Sequence, residues 1–148
     1  MNLKTFLYPP QNCVGIQQIF SATDGWVRSR TALIFGVTTT ISVTSCAVSY
    51  EAAAQRYAPF LSGISQVRVR LLPGTRAETA MAELGARVVN EGANLAVIET
   101  KSAGELLFRQ NVGGVWLASP VQVYLDLLRG EGRAKEMAAH LRKERIGF

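Results

Sequence analysis

Residues 115–148 read VWLASPVQVYLDLLRGEGRAKEMAAHLRKERIGF, and their punctuation decides how the chain ends. Ser119, Pro120 and Gln122 put a hydroxyl, a proline and an amide where a helix start needs them. The hydroxyl accepts from an amide that has no intrahelical partner, proline gives up an N–H that would be unpaired, and the amide side chain returns to the cap. The spacing therefore predicts a helix from Pro120. Val121, Tyr124, Leu125 and Leu128 recur at i, i+3, i+4 and i+7, which marks them as its inward face. Gly130 and Gly132 then supply the left-handed backbone that stops a helix. A second helix follows from Arg133, with Ala134, Met137, Ala138 and Leu141 as its seam and Arg142, Lys143 and Arg145 at its electronegative end. The chain is expected to close on a helical hairpin.

Working back from the hairpin, residues 115–118 and 106–110 read as short strands divided by Asn111, Gly113 and Gly114. Residues 86–90 and 95–100 read as a second pair, joined by the hairpin-length loop 91–94. Before them, Thr75 and Glu78 form another capping box, for a helix ending at Leu84 and Gly85 with Ala77, Ala80, Met81 and Leu84 inward. Residues 66–72, QVRVRLL, alternate in the period of a half-buried strand: Val67, Val69 and Leu71 face one way, Arg68 and Arg70 the other. Residues 49–60 form a short helix halted by Pro59. Consecutive strands with short turns pair antiparallel, so the fold class is α+β, a small mixed or antiparallel sheet covered by helices.

Residues 1–49 are poorly defined. They hold one Lys, two Arg and one Asp, with prolines at 9 and 10 against an early helix. Residues 31–48 are uncharged and imitate a membrane segment, but their Thr, Ser and Val content fits buried strands better than a span of roughly 20 strongly apolar residues. A boundary near residue 49 divides this β-rich segment from the 50–148 domain.

The 148 residues carry 16 Lys and Arg against 11 Asp and Glu, and the resulting +5 favours polyanionic partners without concentrating on one cluster. Cys13 and Cys46 stand 33 positions apart beside a single histidine, so no zinc-ligand spacing exists, and both read as reduced, buried thiols. No cofactor or metal is called for. Glu91, Glu99, Glu105 and Asp126 are scattered, His140 lies on a basic helix without an acid partner, and the glycines form no phosphate loop. Only Glu99 and Lys101 imitate a reaction centre, the E-x-K half of a metal-dependent nuclease. Such a pair arises often by chance.

Three groups of residues give the chain a resemblance: residues 57–61 (YAPFL) with 67–74 (VRVRLLPG); Glu83-Leu84-Gly85 leading to residues 91–95; and, most specifically, Ser119-Pro120-Val121-Gln122-x-Tyr124-Leu125-Asp126-Leu127 followed by Gly132-Arg133. Over about residues 50–145 the chain resembles the effector part of AbiEi antitoxins of type IV toxin–antitoxin systems, which act in phage abortive infection. The resemblance implies a cytoplasmic, non-enzymatic transcriptional regulator that opposes a nucleotidyltransferase-like toxin without a stable complex. It further implies contact with operator DNA or other nucleic acid, and no membrane. Residues 1–49 occupy the winged-helix position but show no paired helices with a basic recognition face, as in a truncated or diverged reader. The candidate nucleic-acid contacts are Arg68, Arg70, Arg133, Lys135, Arg142, Lys143 and Arg145. Two other readings stay open: a structural remnant without activity, and the nuclease that Glu99 and Lys101 imitate.

Overall fold

In the computed structural model, residues 2–7, 46–74, 78, 81–82 and 85–148 are described. Their strands are β1 (Asn2–Leu7), β2 (Cys46–Ser49), β3 (Val67–Leu71), β4 (Arg87–Val88), β5 (Leu95–Glu99), β6 (Gln110–Val112) and β7 (Val115–Leu117). Helices described from end to end include α1 (Tyr50–Tyr57), α2 (Pro120–Leu128) and α3 (Ala134–Leu141), the last continued by a π-helical turn, Arg142–Ile146. Within the described residues the seven strands make one mixed sheet in the order β4-β1-β5-β3-β2-β7-β6. The class is α+β, as the sequence indicates. The sheet is larger than expected because β1 and β2, both from the N-terminal side of Ser49, are strands of it.

β5 runs parallel to β3, and β2 runs parallel to β7. Central strands of this kind are covered on both faces and so read as continuous apolar runs rather than alternations. Leu95, Ala96, Val97 and Ile98 of β5 and all four residues of β2 are buried. The hairpin expected from residues 86–100 does not form. β4 and β5 both pair with β1, which lies between them. Crossing one intervening strand spans about 10 Å, and residues 89–94 reach that easily when extended. A local turn signal has no means of registering a strand that arrives from elsewhere. β6 and β7 do form a hairpin, turned at Gly113 and Gly114 with φ of 59° and 82°. Leu106, expected in a strand, ends a 3-10 turn instead.

α1 packs on β2, β3 and α2, while α2 and α3 pack on each other. The Gln55 side chain fastens the loop after α1: its Oε1 accepts from the amides of Phe60 and Leu61, and its Nε2 donates to the Leu61 carbonyl. Ser119 caps α2 as expected, its Oγ accepting from the Gln122 amide at 3.2 Å. The Gln122 side chain does not return to the cap; it donates to Asp126 Oδ1 at 2.9 Å.

The inward face of α2 differs from the expected one. Val123, Asp126 and Leu127 are buried, whereas Val121, Leu125 and Leu128 are 53%, 47% and 43% exposed. α2 has apolar residues nearly all round, so periodicity alone underdetermines its rotation; the ion pair made by Asp126 fixes it. The seam of α3 is as expected, with Ala134, Met137, Ala138 and Leu141 all buried. Of the helix expected at 75–84, Glu78, Met81 and Ala82 are helical, and Met81 is buried. Ala77, Ala80, Leu84 and Cys13 lie outside the described residues, as does most of the expected strand region 31–48. Among the described residues no helix is long and apolar enough to cross a membrane.

Candidate functional site

The arginine pair of β3 splits into two roles. Arg70 is 3% exposed. Its Nε and Nη2 donate to Asp126 Oδ2 and Oδ1 at 3.1 and 2.6 Å, and its Nη1 donates to Glu105 Oε2 at 2.6 Å. Asp126 also accepts from the Ser49 hydroxyl and from Gln122, and Glu105 accepts from the Lys101 amide at 2.9 Å. This buried fork joins the end of β2, the middle of β3, the 3-10 turn and α2. Arg70 therefore does not belong among the surface contacts: of the two arginines expected on the open face of β3, it is taken into the interior by Asp126 of α2. The signal that was missed is Asp126 itself, an acid on an otherwise apolar helix, which needs a buried cation if it points inward.

Arg68 stays partly exposed. Its guanidinium lies over the Tyr50 ring, 4.4 Å from the centroid, and its Nε donates to Gln66 Oε1 at 3.0 Å. Tyr50 opens α1 with φ of 54°, a left-handed conformation that bulky residues rarely adopt and that costs on the order of 1–3 kcal/mol. The strain turns the chain out of β2 at the residue after Ser49, whose hydroxyl is fixed on Asp126. Burial raises the Tyr50 phenol, and the Asp126 charge adds to it.

Arg133 stands at the start of α3, over the Phe60 ring at 5.2 Å, with its Nε donating to Glu136 Oε2 at 3.3 Å. Phe60 in turn meets His140, with ring centroids 5.1 Å apart. Arg145 lies over Tyr57 and Arg142 over Phe148, both at 5.8 Å. Burial pushes the Tyr57 phenol up to about 12, and its hydroxyl donates to the Ala118 carbonyl at 2.8 Å. Lys135 and Lys143 are exposed. Stacking of this kind holds a guanidinium in place while leaving its hydrogen-bonding edge for other partners.

Two of the candidate contacts come together. Arg68 and Arg133 line one cleft, with Glu51, Glu131, Ser65 and Gln66 beside them. Arg142, Lys143 and Arg145 lie apart from it on the π-helical turn. Neither the cleft nor its two glutamates was legible in the sequence, because its walls come from α1, β3, the 61–66 loop and the turn before α3. Glu99 Oε1 accepts from the Gly74 amide at 3.2 Å, and Lys101 is exposed. Among the described residues no group of three His, Cys, Asp or Glu is placed to hold a metal ion. Comparison with known protein families, with the curated proteins and with the solved structures finds no match to this chain.

Proposed function

We propose that this chain is an antitoxin-like transcriptional regulator of a type IV toxin–antitoxin system, acting without chemistry of its own against a nucleotidyltransferase-like toxin and touching nucleic acid through its basic surface. The observation that carries the reading is the resemblance to AbiEi antitoxins over residues 50–145, densest in residues 119–127. Those residues also have structural work: Ser119 caps α2, and Asp126 of the same segment anchors it to β3. For nucleic acid, the support is a set of stacked arginines, with Arg68 and Arg133 lining one cleft and Arg142 and Arg145 on the π-helical turn after α3. Lys135 and Lys143 add charge to the same helical layer.

The deciding experiment is co-expression with a nucleotidyltransferase-like toxin of a type IV system. Restored growth is expected, and a culture that stays arrested at equal toxin level overturns the antitoxin reading. Contact with operator DNA is tested separately by gel retardation across a salt series. Each phosphate neutralised should steepen the fall of log affinity with log salt by about 0.9. Retardation that is absent, or indifferent to salt, removes the nucleic-acid part.

A further inference from the structure

The cleft between Arg68 and Arg133 is built more like a receptor than like a stretch of basic surface. Both guanidinia are held by their Nε atoms, Arg68 on Gln66 and Arg133 on Glu136, and each is backed by an aromatic ring. Neither bond uses the Nη1–Nη2 edge, the edge that matches two oxygens of a phosphate. Ser65 adds a neutral hydrogen-bonding group to the lining, while the Gln66 side chain is engaged by Arg68 and the Ala93 carbonyl. Glu51 and Glu131 stand beside the two cations and supply acceptors for hydroxyl groups. At about 140 Å³ the cleft is smaller than the several hundred that usually enclose a whole small molecule. It has the size for one phosphorylated unit with the rest of the ligand outside.

We infer that this cleft is a binding site for a phosphate monoester bearing hydroxyl groups, a phosphosugar such as the ribose phosphate of a nucleotide, with Arg68 and Arg133 taking the phosphate and Glu51 and Glu131 the hydroxyls. The inference stands on the cleft and not on the antitoxin reading, so failure of toxin rescue leaves it untouched. The same chemistry is offered by a free mononucleotide and by the phosphorylated end of a nucleic-acid strand.

Calorimetric titration of the full chain with ribose 5-phosphate, adenosine 5′-monophosphate and adenosine tests it. Both phosphates should bind and adenosine should not. Arg68→Gln and Arg133→Gln should each weaken the monoester at least about tenfold, the scale of one lost charge-assisted bond. Arg87→Gln, on exposed β4, should change nothing. A short oligonucleotide with and without a 5′-phosphate separates the sources: preference for the phosphorylated strand assigns the site to strand ends, and equal affinity beside tight monoester binding assigns it to a free ligand. Adenosine binding as well as its monophosphate, or Arg87→Gln weakening binding as much as the cleft variants, overturns the proposal. Should Arg68→Gln fail to fold, Arg133→Gln, on a turn where its side chain is 62% exposed, decides alone: unchanged affinity there also overturns it.

Discussion

Leu125 and Asp126 are adjacent in sequence and reversed in environment: the leucine is 47% exposed and the aspartate 1%. Hydropathy places them the other way round, because an acid is normally kept in water. Here the desolvation of Asp126 is offset by a two-bond fork from Arg70 and by Ser49 and Gln122. Removing one partner leaves a buried charge alone, so Asp126→Ala should cost about 3–5 kcal/mol in urea unfolding. Replacing both members by apolar residues, Arg70→Met with Asp126→Leu, should recover most of that loss, and a double-mutant cycle without coupling would refute the pairing. The same experiment locates the core: Leu127→Ala should cost about 2–5 kcal/mol, and Leu125→Ala well under about 1. Tyr57 offers a titration. Its phenol is raised to about 12, so its contribution to stability is complete below the unfolded value near 10 and is lost as pH rises toward 12. Tyr57→Phe should flatten the stability curve across that alkaline window.

Among elements, those with chemical punctuation were legible and those defined by a distant partner were not. α2 begins at Pro120 because Ser119 and Pro120 fit only a helix start, and α1 stops before Pro59 because the residue ahead of a proline avoids helical backbone. Ser119→Ala should therefore cost about 1 kcal/mol. Gly130 does not take the left-handed backbone expected of it, which Gly132 does; its role is steric. A Cβ there would sit 2.6 Å from the Ala134 Cβ, so the α2–α3 connection closes tightly only without a side chain. Gly132, at φ 58°, has open space around it and needs only its backbone freedom. Gly130→Ala should lower the melting temperature more than Gly132→Ala does, since one forces packed helices apart and the other costs about 1 kcal/mol of left-handed strain. The β4–β5 pairing went the other way: a good turn signal was overridden by β1.

Across the whole molecule, the sheet ties sequence-distant pieces into one layer, with β1 between β4 and β5 and β2 between β3 and β7. Phe6 of β1 is 1% exposed within the same core as Leu127 and Leu141. Phe6→Ala should thus lower the single unfolding midpoint by the equivalent of about 3–5 kcal/mol, and a separate early transition would show that β1 is an appendage instead. By itself the sequence determined the α+β class, the start of α2, the end of α1, the seam of α3 and the burial of Val67, Val69 and Leu71 in β3, because caps, prolines and short periods act over a few residues. Tertiary structure alone decided which way α2 faces, which β3 arginine meets water and that Arg68 and Arg133 share a cleft. Each of those depends on a charge or a strand brought in from far along the chain, and no local pattern encodes the partner that makes a buried aspartate tolerable.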